Sequence, residues 1–393
     1  MIFDKLFHLM AEKQASDIFV TAGAPIQIKI QGTTIPINQQ IMDPATIQRM
    51  AYEMMTPEQA KKLEDQREMN LSFGIREVGN FRVNVFWQRG SIAIVVRFIQ
   101  GVIPSLDSLG LPPVLQEIIV EKRGLVLVCG ATGSGKSTTI AAMLDYRNQN
   151  RTGHILTVED PIEYLFRHKK SIVNQREIGM DTLSWGEALK NAMRQAPDCI
   201  LIGEIRDRET MSAALAYAQT GHLCLATLHA NNSYHAMNRI INFFALENRT
   251  ALYLDLSVSL KCVISQRLVK RPDGKRIPAV EILLNTRHIG ELIERGEVNA
   301  IKEAMEQSLA PGSQTFEQDL FRLYRENIIT LEEALANADS PTNLSWLINN
   351  SQLNAPSGPE PPTLGRTIEF ENESAGGTSF TEISLNMDEA PRG

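Results

Sequence analysis

The stretch Gly130-Ala131-Thr132-Gly133-Ser134-Gly135-Lys136-Ser137 constrains this chain's fold more than any other part of the sequence. It fits G-x-x-x-x-G-K-[ST] and has both neighbours that the pattern needs. The apolar run Leu125–Cys129 before it reads as a strand, and Thr138–Leu144 after it reads as a helix. The glycines let backbone N–H groups converge on phosphate oxygens with no Cβ in the way. The following helix turns its positive end toward the same point. Lys136 is expected to reach the β- and γ-phosphates and Ser137 to hold Mg²⁺, with Ala131, Thr132 and Thr138 completing the cradle; the implied ligands are ATP and Mg²⁺. Further apolar runs, His154–Val158, Cys199–Ile202 and Leu223–Thr227, alternate with helical stretches and suit strands buried on both faces of a mainly parallel sheet. Ser184-Trp185-Gly186-Glu187 has the form of a capping box and opens a helix to about Gln195. Asp207 can cap the next helix, and Gly221 follows its end. Helical patterns are then expected to about Asn350.

The residues before this region have a different character. Residues 3–15 read as an amphipathic helix with Phe3, Leu6, Phe7 and Met10 on one face. Short strand-like runs follow at Asp17–Thr21, Ile26–Ile30 and Thr33–Ile37, and Thr56-Pro57-Glu58-Gln59 caps a helix. Phe81, Val83, Val85 and Trp87 alternate with Arg82, Asn84, Phe86 and Gln88 as in a half-buried strand, and Gly90 turns the chain into a second one, Ser91–Ile99. Residues 1–100 therefore form a small α+β domain, 101–113 a linker rich in Gly and Pro, and 114–350 the phosphate-binding domain. Residues 351–393 hold five Pro, five Gly, seven acidic and two basic residues, and read as a disordered acidic tail of charge −5.

Composition removes several classes of function. The net charge of −7 gives no support to a nucleic-acid partner. Cys129, Cys199, Cys224 and Cys262 form no C-x-x-C pair, so they read as small core residues in a reducing compartment. No basic-then-apolar leader opens the chain, and no apolar run approaches the ~18 residues of a bilayer span. A cytoplasmic protein is expected, reaching the inner membrane only through partners.

Hydrolysis of a nucleoside triphosphate needs a carboxylate for the metal and a group that orients the attacking water. In a generic P-loop enzyme the metal strand ends in Asp. Here Cys199-Ile200-Leu201-Ile202 ends in Gly203-Glu204, so Glu204 must serve the metal. Thr157-Val158-Glu159-Asp160-Pro161-Ile162-Glu163 lies at the end of another strand, which makes Glu159, Asp160 and Glu163 candidates; pairing with arginines such as Arg206 is the structural alternative. His222 and His229 bracket the strand Leu223–Thr227, and the residues alone do not promote them to a site.

Taken together, Gly130–Thr138, Thr157–Glu163, Ile200–Asp207 and Gly221–Asn231 resemble the Walker A, Asp box, Walker B and His box of secretion-type ATPases. Within that group residues 2–345 resemble the type IV pilus retraction ATPases, PilT and PilU. Phe19, Glu281–Thr286, Gly296-Glu297-Val298 and the acidic tail resemble the PilU branch. Ala310-Pro311-Gly312-Ser313 departs from the family pattern and places one local turn in question. The resemblance implies an α/β fold: a PAS-like N-terminal domain followed by a RecA-like P-loop ATPase domain, assembled as a homo-hexamer. It implies Glu163 as the catalytic carboxylate, Glu204 as the Walker B one, and His222 and His229 near the nucleotide. Arg82 and Arg97 are the candidates to approach a neighbour's phosphates. The implied partners are a PilT-type retraction ATPase and an inner-membrane pilus platform protein. The alternatives are a pilus extension or secretion ATPase, and a nucleotide-bound scaffold ring without turnover.

Overall fold

The computed structural model describes residues 2–353 apart from 31, 76, 77 and 100. Beyond Leu353 the expected acidic tail lies outside the described residues. Residues 1–348 form one compact unit containing two sheets.

The first sheet contains β1 (Asp17–Val20), β2 (Pro25–Ile30), β3 (Thr33–Ile41), β4 (Glu68–Ile75), β5 (Gly79–Gln88) and β6 (Ser91–Ile99). Their order is β3-β2-β1-β6-β5-β4, every neighbour antiparallel. One face packs under the helices Ile2–Lys13, Pro44–Glu53 and Pro57–Gln66, which bury Phe3, Phe7, Met10, Ile47, Met50 and Leu63 against Ile18, Phe81, Val83 and Val85. The period-two alternation of β5 follows, since Arg82 and Asn84 point to the opposite face and are only half-buried. Thr56 caps its helix through the reciprocal bonds with Gln59 that the sequence suggests.

The second sheet contains β7 (Gly124–Cys129), β8 (Gly153–Glu159), β9 (Ser171–Glu177), β10 (Cys199–Ile202), β11 (Leu223–Leu228), β12 (Leu260–Lys270) and β13 (Arg276–Leu284). The order is β13-β12-β7-β11-β10-β8-β9, parallel throughout except for the β12–β13 pair. Both faces are covered. Along β7, Leu125, Leu127 and Cys129 enter one core while Val126 and Val128 enter the other. Burying both faces is what makes the run continuously apolar rather than alternating.

Two readings of the sequence need correction. Residues 260–284 are not helical; they form β12 and β13, which extend the sheet past β7. Short runs such as Cys262–Ile264 and Val280–Leu284 have no period that separates a buried strand from a buried helix. The strand β9 also lies in a segment for which no strand is expected from the sequence. In the segment 101–113, Leu106 and Leu111 are buried in the core beside Leu115 and Val126, so its second half packs with the domain that follows. The unusual Ala310–Ser313 segment is an ordered turn. Ser313 N–H donates to Ala310 O at 3.1 Å, and Gln314 exchanges backbone hydrogen bonds with Ile282 at 2.8 and 3.0 Å. All four cysteines are buried and free, and burial pushes their thiols well above the usual range. No helix among the described residues is long and apolar enough to cross a membrane.

Candidate nucleotide site

The parallel strands β7, β8, β10 and β11 all end at one edge, and the segments that leave them there surround a cleft of about 280 Å³. From β7 come Thr132, Gly133, Lys136 and Ser137; from β8, Glu159, Asp160, Pro161 and Glu163; from β10, Gly203 and Glu204; from β11, Thr227 and His229. Thus a single cleft unites Lys136 and Ser137 with the candidate carboxylates and one of the two histidines.

The cradle is shaped by backbone that only glycine tolerates. Gly130 has φ +153°, and a Cβ there would lie 2.3 Å from Ser134 Oγ and 2.6 Å from Gln266 O. Gly135, at φ +90°, precedes the helix Lys136–Asn150, so that helix begins at the loop. Lys136 folds back and donates to Gly130 O and Ala131 O at 2.9 and 2.8 Å. Burial lowers its pKa, while Cys129, Glu163 and Glu204 pull the other way. Thr138 Oγ1 and Tyr164 OH share a 2.8 Å hydrogen bond, which ties the cradle to the Asp160–Glu163 segment.

Gln266 is a residue that sequence reasoning missed. It lies on β12, is 2% exposed, donates through Nε2 to Ser134 O at 2.8 Å, and accepts from Thr139 Oγ1 at 2.7 Å. The cradle therefore rests on a strand 127 residues away in sequence, and no local signal announces that contact. Gly135, Gln266, Leu268 and Pro278 also border a second cleft of about 760 Å³, which the charged Arg271 and Lys275 line as well.

The carboxylates sit in distinct environments. Glu159 accepts from Thr157 Oγ1 at 2.6 Å and from Gln175 Nε2 at 3.3 Å. Desolvation outweighs these bonds and raises its pKa to about 7. Glu204 accepts from Arg206 Nε at 2.8 Å and lies 3.5 Å from His229 Nε2, while Arg206 Nη1 is 3.6 Å from Asp160 Oδ2. At Gly203 the end of this strand leaves little space for a side chain. A Cβ at 203 would lie 3.1 Å from both Glu159 Cα and Val158 O, because β10 closes tightly on β8 there. The carboxylate of this strand end is one residue on, at Glu204.

His222 does not line this cleft. It precedes β11, whereas His229 follows it, and a strand of six residues separates its two ends by about 20 Å. His222 contacts Thr220 Oγ1 at 3.1 Å and Tyr217 O at 3.2 Å, and its backbone O accepts from Gly124 N–H at the edge opposite the cradle. Arg82 and Arg97 are cross-strand partners on the open face of the first sheet. Arg97 donates to Asp17 Oδ1 at 2.9 Å and keeps 67% of its side chain exposed. Arg82 instead ion-pairs with Glu177 of the second sheet in its own chain.

A glycine-built cradle at a helix N-terminus, with a lysine inside it and carboxylates across the cleft, has the form of a phosphate-binding loop. The model of the Type II/IV secretion system protein family matches residues 1–334, and the chain belongs to that family. Among its relatives is the Type IV pilus ATPase PilU of Pseudomonas aeruginosa, 45% identical over 381 residues, covering 97% of this chain and 100% of that protein. The Type IV pilus retraction ATPase PilT of the same organism is 39% identical over 343 residues, covering 87% of this chain and all of PilT. A crystal structure of the pilus retraction motor PilT with bound ADP superimposes with a TM-score of 0.81 at 43% identity, covering 87% of this chain and 99% of that one. The ATPase DotB of Legionella pneumophila gives 0.73 at 26% identity, covering 89% and 96%. The fold is accordingly the mixed α/β fold of these secretion and pilus ATPases, a parallel-sheet domain preceded by a smaller antiparallel one.

Proposed function

We propose that the chain hydrolyses ATP as one subunit of a homo-hexameric ring that powers type IV pilus retraction, acting as a PilU-type accessory to a PilT-type motor. The observation that carries this reading is the single cleft in which Lys136 and Ser137 face Glu163 and Glu204, in a chain similar to a pilus ATPase over its full length. Bound Mg²⁺ would supply neutralisation of phosphate charge, held by Ser137 with Glu204. Lys136 exchanges its bonds to Gly130 O and Ala131 O for phosphate oxygens. Glu163 orients the attacking water and accepts its proton, and His229 braces Glu204 from the other side. Glu159 and Asp160 line the same wall, and the groove beside Leu268 and Pro278, with Arg271 and Lys275 at it, would take the base. Arg97, exposed on the open sheet face, is the arginine that would reach a neighbour. The ring works at the cytoplasmic face of the inner membrane through a pilus platform protein.

A scaffold ring without turnover is disfavoured because Lys136, Glu163 and Glu204 are all present. The deciding experiment measures ATPase activity of the purified chain with and without a companion PilT-type ATPase. Turnover that rises on mixing supports the accessory reading. Bound nucleotide with no turnover in either case would favour the scaffold.

A further inference from the structure

Arg82 leaves the open face of the first sheet and enters the second domain. It ion-pairs with Glu177 Oε2, and the two side chains are 14% and 13% exposed. The same oxygen accepts the backbone N–H of Ile162 at 3.3 Å. Ile162 immediately precedes Glu163 in the segment that leaves β8. Glu177 is itself firmly held. It ends β9 opposite Glu159; its N–H donates to Asp181 Oδ2 at 2.9 Å; and its carbonyl accepts the N–H groups of Asp181 and Thr182 at 2.9 and 3.2 Å. One carboxylate oxygen therefore links an arginine of the N-terminal domain to the backbone beside the candidate catalytic carboxylate. A charged pair this buried is costly to break on one side only, because the remaining ion keeps its desolvation penalty. Arg82 also lies in the field of Glu159 and Glu163.

We propose that Glu177 is a positioning residue for hydrolysis: held by Arg82, it fixes the Ile162 backbone and so sets how Glu163 faces the nucleotide. Glu177 does not line the nucleotide cleft, so it acts through the segment rather than on the ligand. The proposal rests on the reading of that cleft as an ATP site. It makes the placement of the N-terminal domain felt at Glu163 within one subunit.

The test uses the full chain. Glu177→Gln keeps the size and an acceptor for Ile162 N–H but gives Arg82 no charge; Glu177→Ala removes both. Both variants are expected to lower kcat by about 10- to 100-fold, the scale of a small misplacement of a reacting group. Affinity for a fluorescent ADP analogue should stay within about twofold, and in Glu177→Ala the amides of Ile162 and Glu163 should exchange faster with solvent. Adding Arg82→Ala to Glu177→Ala should cost less than about twofold more, since partners in one contact are not additive. Wild-type kcat in Glu177→Gln overturns the proposal, as does full additivity with Arg82→Ala. Loss of ADP binding with unchanged circular dichroism also overturns it, since Glu177 would then belong to the binding surface. Lys136→Ala, run in parallel, separates the two levels. If it hydrolyses ATP at the wild-type rate, the cleft reading fails. If it is inactive while the Glu177 variants match wild type, only the positioning role fails.

Discussion

The two sheets present their chemistry in different places. In the central strands of the seven-stranded sheet both faces are buried, as the uniformly covered β7 and β10 show, so the side chains of the cleft emerge where strands end. Lys136, Glu163, Glu204 and His229 all follow strand ends at one edge. In the six-stranded antiparallel sheet one face is open, and Arg82 and Arg97 stand directly opposite one another in the middle of β5 and β6. A sheet buried on both sides concentrates function at a rim; a half-covered sheet displays it across a surface. Arg82 is where the two arrangements meet, because it reaches from the open face of one sheet to the last residue of a strand in the other.

The sharpest way to break this contrast is Lys136→Ala. ATP hydrolysis should fall by about 10³-fold or more, measured as phosphate release, while circular dichroism stays native, since the lysine is aimed at phosphates and builds little of the core. Near-normal hydrolysis would mean that the rim is not where the chemistry occurs. Next in size are Glu163→Gln and Glu204→Gln. Each should reduce turnover by about 10²-fold or more yet retain nucleotide in a filter-binding assay, because Gln keeps the shape without the anionic charge. If both variants lost nucleotide binding while remaining folded, the roles assigned to these carboxylates would be wrong. The difference between a two-faced and a one-faced sheet can be weighed by urea titration. Leu127→Ala, inside β7, should cost about 2–5 kcal/mol. Asn84→Ala, on the open face of β5, should stay within about 0.5 kcal/mol. Comparable costs would show that the antiparallel face is covered too.

A further effect, spread over pH, concerns Glu159. Its pKa is raised by burial from 4.5 to about 7 in the folded chain. The folded state therefore binds the proton more tightly than the unfolded one. The associated stability is complete below pH 4.5 and is lost as pH rises through about 7. The nucleotide-free protein should lose at most about 1.4 kcal/mol per pH unit across that window, and Glu159→Gln should flatten the slope. An unchanged slope in the variant would assign the effect to other groups; buried Glu281 and Asp319, whose pKa values are also raised by desolvation, are the ones to replace next.

Much of the rim was legible because its signals are local. The P-loop carries its glycines, lysine and flanking elements within one short stretch, and the capping residues Thr56, Ser184 and Asp207 each bond the backbone three residues on. What escaped detection is nonlocal. Gln266 supports the cradle from a strand whose short apolar runs look equally helical, and Glu177 meets Arg82 across 95 residues. The distance between His222 and His229 is hidden for a related reason. Two histidines bracketing one strand look adjacent in sequence, although an extended chain carries them to opposite edges of the sheet.

The tight closure at Gly203 also bears on where an acid can stand in this strand. A Cβ at 203 would meet Glu159 Cα and Val158 O at 3.1 Å each, so even a methyl carbon asks the backbone of β8 to give by a few tenths of an ångström. One residue on, Glu204 is clear of that seam and has Arg206 and His229 beside it. The seam between the two strands and the acid at its end are thereby kept on separate residues, and each can be altered without the other.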